Sequence, residues 1–249
     1  IDKYRWRSLR GIINAAAYTA VDQAETDKGR RAAWAANATG VAALAQMARE
    51  ANIPLVHIST DYVFDGSLPV GEEYSESENV APMGVYGQSK AAGEVAAQVA
   101  PRHYILRTSW VIGEGKNFVE TMRSLAERGI NPVVVADQFG RPTFTEDLAG
   151  AALHLLENEA NYGTYNVSNS GEIISWADLA AAVYEMCGHD RSSVSSTTTE
   201  AYSANIETFA PRPVNSALNL KKLRATGFIP RDHTQALAQY LAQSKDSRA

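Results

Sequence analysis

Residues 11–17 read Gly11-Ile12-Ile13-Asn14-Ala15-Ala16-Ala17. A continuous apolar run of this kind, bounded by glycine and polar residues, is typical of a parallel strand that is covered on both faces. Runs of the same form recur further along the chain, at 54–59, 104–108, 132–136 and 164–167. The pattern therefore predicts a mainly parallel sheet.

Helical patterns fill the intervals between these runs, at 30–50, 85–99, 118–128 and 146–157. Alternation of strand and helix indicates an α/β protein, and we expect a Rossmann-like, doubly wound parallel sheet. Residues 1–10 show neither a leader's pattern nor a clear period.

Beyond Gly171 the pattern changes, because predicted helices at 175–186 and 234–243 flank a polar segment at 191–199 and a proline-containing loop at 211–213. We expect a smaller lobe over the carboxyl ends of the strands, where open α/β sheets bind ligands. The predicted division is a partial dinucleotide-binding domain at 1–137, with 145–168 returning to it, and a mainly substrate-binding lobe at 138–249.

Composition excludes several classes of partner. The chain has 249 residues, with 23 basic and 28 acidic side chains and a net charge of −5, and it contains no basic run that would neutralise a row of phosphates. We therefore expect no nucleic-acid partner. A single cysteine, Cys187, and the lack of a long uncharged apolar stretch predict a cytoplasmic protein without a membrane partner. The five histidines have no ligand spacing, so we expect no metal site built on them.

The segment Tyr86-Gly87-Gln88-Ser89-Lys90 places a phenol and an ammonium four residues apart, on one face of a predicted helix. A free phenol has a pKa near 10, and a nearby ammonium favours the phenolate. We therefore expect Lys90 to lower the pKa of Tyr86 and to hydrogen-bond a cofactor ribose. Tyr86 would donate a proton to a carbonyl oxygen while hydride reaches the carbon. The pair could equally be an exposed helix pair without function.

Hydroxyl groups follow the apolar run at 54–58, because Ser59 and Thr60 come next in the chain. At the carboxyl end of a strand they could hold the carbonyl oxygen that Tyr86 protonates, or they could simply end the strand. Asp61 could cap the turn or bind a sugar hydroxyl. Trp110 follows another strand and could stack on a sugar or anchor the packing of the second lobe.

Small side chains at 14–17, followed by Tyr18 and Thr19, would allow a ring or a ribose to approach closely, although they would also permit tight packing. A nicotinamide enzyme of this class also carries a Gly-rich turn after its first strand, and these residues contain none. We expect that strand, the turn and the first helix to precede residue 1. The alternative is a protein without a cofactor site. The choice between NADH and NADPH depends on that stretch and stays open.

Taken together, these residues resemble the extended short-chain dehydrogenases/reductases, and within them the dTDP-4-dehydrorhamnose reductases. The resemblance extends from about Gly11 to Leu241 and is most specific in the string Ser59-Thr60-Asp61-Tyr62-Val63-Phe64-Asp65-Gly66. The other segments that carry it are 14–22, 37–39, 86–90, 92–94, 107–111, 137–143, 212–213, Ser216 and Leu218.

The resemblance implies that Tyr86 is the catalytic proton donor, that Lys90 is its partner and a ribose ligand, and that Thr60 tunes the pKa of Tyr86. It also implies that Thr60, Asp61 and Trp110 bind the deoxysugar of a nucleotide-sugar substrate. Besides Tyr86 and Lys90, the implied cofactor-binding residues are Ala15, Ala16, Ala17, Tyr18, Thr19 and Ile58.

The implied reaction is hydride transfer from NADPH or NADH to C4 of dTDP-4-dehydro-L-rhamnose, which gives dTDP-L-rhamnose for surface polysaccharide. Some family members use Mg²⁺ at a dimer contact, so Mg²⁺ and a homodimer are further expectations, although the carboxylates for that ion are not identifiable here. Two alternatives stay open. One is a sibling 4-ketoreductase for another nucleotide deoxysugar, and the other is a regulatory subunit that resembles the β subunit of methionine adenosyltransferase.

Overall fold

A computed structural model describes residues 9–246, without the side chains of 244–246. Residues 1–8, to which the sequence assigned no element, lie outside that description. The strands are β1 (Ile12–Asn14), β2 (Leu55–Thr60), β3 (His103–Thr108), β4 (Val111–Ile112), β5 (Val133–Val135), β6 (Phe139–Gly140), β7 (Thr143–Phe144), β8 (Gly163–Val167), β9 (Ile174–Ser175) and β10 (Ser195–Thr197). The α-helices are α1 (Asp27–Trp34), α2 (Gly40–Ala51), α3 (Val85–Ala97), α4 (Phe118–Glu127), α5 (Thr145–Glu157), α6 (Trp176–Met186), α7 (Thr199–Ser203), α8 (Lys221–Arg224) and α9 (His233–Asp246).

The central sheet has the strand order β1-β2-β3-β8, and every pair in it is parallel. Its register places Ser59 opposite Arg107 and Thr60 opposite Thr108, so the carboxyl ends of β2 and β3 lie side by side. The predicted α/β fold with a parallel sheet is confirmed. Ligands of such sheets bind at this edge.

Helices cover both faces of the two central strands. Leu55 and Ile105 face α2 and α3, whereas Val56 and Leu106 face α5. Successive residues of a strand point to opposite faces, so a strand that is covered on both faces must be apolar at nearly every position. This explains the continuous apolar runs that the sequence shows at 54–59 and 104–108.

The edge strand β1 departs from the prediction for residues 11–17. Only Ile12–Asn14 are extended, and Ile13 is 48% exposed rather than covered. Within residues 9–246, β1 pairs with β2 alone, so its other edge has no strand beside it. The strand ends where the Asn14 side chain accepts a hydrogen bond from the Ala16 amide at 3.2 Å, which turns the chain away from the sheet.

Two other predictions need correction. The helix predicted at 30–50 is divided by a π-helical stretch, Ala35–Thr39, between α1 and α2. The strand predicted at 132–136 exists as β5 but lies outside the central sheet, because it pairs with β10 in a separate two-stranded sheet. The polar segment at 191–199 contains that partner strand, which apolar periodicity could not reveal because Ser195, Ser196 and Thr197 are all polar.

Helices α4, α6 and α9 form a second lobe of the molecule. They pack around an apolar cluster that includes Val119, Leu179, Val183 and Leu237. Helix α6 begins at a capping box formed by Ser175 and Asp178, in agreement with the helix predicted at 175–186. No helix within residues 9–246 combines the length and the apolar character needed to cross a membrane.

Candidate active site

The predicted catalytic residues meet where β2 ends and α3 begins. Helix α3 starts at Val85, whose amide donates a hydrogen bond of 2.8 Å to the carboxylate of Glu25, a negative charge at the positive end of the helix. Gly87 lies in the first turn, and a Cβ there would come within 2.2 Å of the Tyr62 carbonyl oxygen. Glycine therefore lets α3 approach the turn that follows β2, which brings Tyr86 to the end of the strand.

The phenol of Tyr86 is partly buried and lies edge-on to the ring of Tyr62, with the ring centroids 5.5 Å apart. Burial and the charge of Asp61 raise the pKa of Tyr86 to about 12, although a hydrogen bond with Thr60 opposes the change. The structure departs from the predicted lowering of this pKa by Lys90, because burial dominates and the contact that opposes it comes from Thr60 rather than from Lys90. Tyr86 is consequently a fully protonated acid at neutral pH.

Thr60 and Asp61 form a hydrogen-bonded cluster with that phenol. The Thr60 hydroxyl donates to Asp61 Oδ1 at 3.0 Å and accepts from the Tyr62 amide at 3.3 Å. Burial raises the pKa of Asp61 to about 6, while hydrogen bonds with Ser216 and Thr60 hold it lower than burial alone would. The structure thus places Thr60 and Asp61 beside Tyr86, where Thr60 caps the turn and Asp61 is a buried carboxyl group.

Lys90 is only 2% exposed, and its ammonium donates a hydrogen bond of 2.6 Å to the Ile58 carbonyl oxygen. An ammonium has three donors, and no other partner for it is found among residues 9–246. Burial lowers the pKa of Lys90 to about 8, and the carboxylate of Glu94 acts in the opposite direction. Ile58, implied as a cofactor ligand, orients Lys90 through its backbone in this structure.

The loop after β1 is held against α3 by Asn37, which the π-helical stretch points inward. Its side-chain amide accepts from the Tyr18 amide at 2.8 Å and donates to the Tyr18 carbonyl at 3.0 Å and to Ser89 at 3.0 Å. Asn37 is completely buried. In the sequence, Asn37 stands out only as part of the segment 37–39. The feature that could have identified it as a buried residue is a polar amide in the middle of the helix predicted at 30–50.

The same loop gives an exposed ledge of small side chains. Ala15, Ala16, Ala17 and Thr19 are exposed, and Tyr18 packs with Tyr86 against one small apolar cluster. A ledge without bulky side chains, next to an ammonium with unused donors, fits the ribose and nicotinamide half of a dinucleotide.

A buried charge network beneath the site escaped the sequence prediction. The carboxylate of Glu94 accepts two hydrogen bonds from Arg107, at 3.0 and 2.8 Å, and one from Ser59 at 2.6 Å. All three side chains are at most 5% exposed. The signal in the sequence was a glutamate one turn after Lys90, on the same helical face.

A cavity of about 550 Å³ opens between the two lobes next to Tyr62. One wall is the segment 199–212, which is tied to Asp137 through Thr199 at 2.6 Å and to Asp22 through Arg212 at 2.7 Å. Polar and aromatic side chains line the cavity together, among them Asp22, Gln138, Trp176, Tyr202, Phe209 and Arg212. A larger cavity of about 690 Å³, between α4 and α9, contains none of the predicted residues.

Trp110 does not line this cavity but stacks on Trp176, which does, with ring centroids 3.7 Å apart. Trp110 also has a φ of 47°, a left-handed conformation that is uncommon for a bulky residue. The sequence offered two roles for Trp110, stacking on a sugar or anchoring the packing of the second lobe. In this structure Trp110 contacts Trp176 of the second lobe. Trp176 is a cavity residue that the sequence did not single out.

No cluster of three or more His, Cys, Asp or Glu side chains suited to a metal ion occurs in the described part of the chain.

Comparison with known proteins gives a consistent result. Residues 4–245 match the family model described as RmlD substrate binding domain. The dTDP-4-dehydrorhamnose reductase of Aggregatibacter actinomycetemcomitans is 39% identical over 94% of this chain and 81% of that protein. A Streptomyces antibioticus protein, a probable dTDP-4,6-dihydroxy-2-methyloxan-3-one 4-ketoreductase, is 40% identical over 92% of this chain and 76% of that protein.

Solved structures agree with these relatives. The crystal structure of a dTDP-4-dehydrorhamnose reductase from Bacillus anthracis, in complex with NADP, superposes with a TM-score of 0.83. It is 38% identical in sequence, and the match covers 93% of this chain and 79% of that one.

Proposed function

Since this chain belongs to the family of the RmlD substrate binding domain, we propose that it reduces the C4 ketone of dTDP-4-dehydro-L-rhamnose with NAD(P)H. The product is dTDP-L-rhamnose, a precursor of surface polysaccharide. The observation that carries the proposal is the cluster of Tyr86, Thr60 and Asp61 at the end of β2, with Lys90 one turn further along α3. Tyr62, whose ring contacts Tyr86, connects this cluster to the cavity between the lobes.

The proton chemistry follows from the protonated state of Tyr86. With a pKa raised to about 12, the phenol holds its proton at neutral pH and donates it to the ketone oxygen as negative charge develops there. The Thr60 hydroxyl then turns from Asp61 and donates its hydrogen bond to the phenolate. Lys90, one turn along α3, supplies a positive charge on the same helix. A reduced nicotinamide, when bound, supplies the hydride to C4.

NADPH is the proposed preferred cofactor, because the Bacillus anthracis relative is in complex with NADP. Comparison of kcat/KM for NADPH and NADH tests this preference. We also propose a cytoplasmic homodimer that uses Mg²⁺. Light scattering and the effect of a chelator on turnover test the oligomeric state and the ion.

A sibling ketoreductase is the second candidate, since the Streptomyces antibioticus relative is a probable 4-ketoreductase of a different dTDP sugar. The cavity wall at 199–212 is where the two substrates would be distinguished, because it belongs to the second lobe.

The deciding experiment measures oxidation of NADPH by the purified protein with and without dTDP-4-dehydro-L-rhamnose. Oxidation that depends on this ketosugar supports the proposal. Turnover only with another dTDP-4-keto sugar favours the sibling enzyme. No turnover with any ketosugar, together with tight binding to a methionine adenosyltransferase, would favour the regulatory alternative.

A further inference from the structure

Glu94 joins the two elements on which the proton chemistry depends. It lies on α3, one turn after Lys90 and two turns after Tyr86, and its carboxylate accepts a hydrogen bond of 2.6 Å from Ser59. Ser59 is the residue before Thr60 in β2. One carboxylate therefore connects the helix of the phenol and the ammonium to the strand end of the hydroxyl.

Arg107 fixes the position of that carboxylate. Its guanidinium binds Glu94 at two points, with an N–O distance of 2.8 Å for the closer one, and stacks 4.9 Å from the ring centroid of Phe64. A bidentate pair of this kind restricts both the distance and the orientation of a carboxylate. Since Glu94 is 3% and Arg107 is 5% exposed, solvent does not compete for these contacts.

We propose that Glu94 is a positioning residue that holds the Thr60 end of β2 in register with the Tyr86 and Lys90 face of α3. The inference rests on the proposed function, because it concerns the same proton donor. Glu94 does not reach the substrate. It acts through Ser59 and Lys90.

The charge of Glu94 adds an electrostatic effect to the geometric one. Burial alone would lower the pKa of Lys90 further than about 8, and Glu94 opposes this. His57 on β2 also interacts with Lys90, but it is neutral because burial and Lys90 lower its pKa to about 3. Arg107 on β3 is paired with Glu94. The carboxylate of Glu94 is therefore the charge that supports the ammonium of Lys90.

The test compares Glu94→Gln with the wild type in kcat, in KM and in the titration of Lys90. We expect kcat to fall by about 10- to 100-fold, because a displaced reacting group costs this much, with little change in KM for the ketosugar. The pKa of Lys90, followed by ¹⁵N NMR of lysine side chains and assigned with Lys90→Met, should fall below its wild-type value. The alkaline limb of the kcat profile should move to lower pH with it.

Glu94→Gln leaves Arg107 buried without its charge partner and could unfold the protein. The double variant Glu94→Gln/Arg107→Gln removes both charges and should keep the fold, with the same loss of kcat. Because loss of the Arg107 cation offsets loss of the Glu94 anion, the pKa of Lys90 should change less in it than in Glu94→Gln. Arg123→Gln is the matched control, since Arg123 is 3% exposed and binds Glu120 and Glu127 on α4. It should lower stability without changing the titration of Lys90.

Wild-type kcat in the folded double variant, or an unchanged Lys90 titration in folded Glu94→Gln, would overturn the proposal. The NMR titration needs no substrate. If the wild type turns over no ketosugar, the proposed function fails, but the effect of Glu94 on Lys90 is still measured.

Discussion

The two halves of the candidate active site are built from different kinds of structure. Thr60, Tyr86 and Lys90 lie on β2 and α3, whose backbones are fixed by strand pairing and helical hydrogen bonds. The facing wall of the cavity is the segment 199–212, which is tied to Asp137 at one end and to Asp22 at the other. We infer a division of labour. The regular half, β2 and α3, fixes the proton donor, and the irregular half, the short helix α7 with the loop that follows it, contacts the ligand.

The largest expected effect comes from removing the proton donor of the regular half. Tyr86→Phe removes the proton donor while keeping the ring that packs against Tyr62, so kcat should fall by about 10²- to 10⁴-fold. Binding of the cofactor, measured by calorimetry, should stay within a few-fold of the wild type. Tyr62→Phe is the control, because it keeps the Tyr86 hydroxyl. Unchanged turnover in Tyr86→Phe would contradict the proposed mechanism.

A second variant displaces the regular half without touching its chemistry. Gly87→Ala places a Cβ 2.2 Å from the Tyr62 carbonyl oxygen, so α3 must move away from the end of β2. We expect kcat to fall by about 10- to 100-fold, since reacting groups tolerate little displacement. Gly150→Ala in α5 is the matched control, because the nearest atoms to its Cβ lie at 3.8 and 3.9 Å. That control should keep full activity, and equal losses in both variants would count against the proposed close approach.

The buried carboxyl group of Asp61, at the end of β2, should also lower the free energy of unfolding. Burial raises the pKa of Asp61 from its ordinary 3.8 to about 6, so the folded state binds the proton more tightly than the unfolded state. The contribution of Asp61 to stability therefore decreases as the pH rises from about 4 to about 6 and stays lower above that range. Asp61→Asn should stabilise the protein by about 1 to 3 kcal/mol at pH 7, and by little below pH 4.

Urea unfolding of both proteins at pH 3.5, 5 and 7 checks this prediction. A stabilisation that is the same at all three values would show that the charge of Asp61 is not its cause. Lower turnover in the stabilised variant would place Asp61 among residues kept for function rather than for stability.

The smallest effect is expected in the irregular half. Tyr202 is 52% exposed and lines the cavity, so Tyr202→Ala should raise KM for the ketosugar by about 3- to 10-fold, the worth of one aromatic contact. The value of kcat should change little, because the proton donor is untouched. Tyr162→Ala, which removes a 40% exposed tyrosine outside this cavity, is the control. A fall in kcat without a change in KM would contradict the division of labour.

The same division explains what the sequence could predict. Tyr86 and Lys90 are four residues apart on a helix, and Thr60 follows an apolar strand, so local periodicity was enough to bring them together. The cavity wall depends on contacts such as that between Arg212 and Asp22, which are 190 residues apart. No local pattern records such a contact.

The balance of burial and charge that sets the pKa of Tyr86 also could not be predicted from the sequence. The spacing of Tyr86 and Lys90 suggested a lowered phenol pKa, but the sign depends on burial and on Asp61, which only the folded arrangement determines. Likewise, β10 is entirely polar and β1 is exposed on Ile13, so neither strand follows the rule that identified β2 and β3.

The stacked indoles of Trp110 and Trp176 have a consequence for spectroscopy. Trp110 follows the central sheet and Trp176 opens α6 of the second lobe, and their ring planes are 15° apart at 3.7 Å. Two chromophores this close couple their electronic transitions, so the pair should give an exciton signal in circular dichroism that Trp34, 42% exposed on α1, does not share. That signal would follow the relative position of the two lobes during ligand binding without any added label.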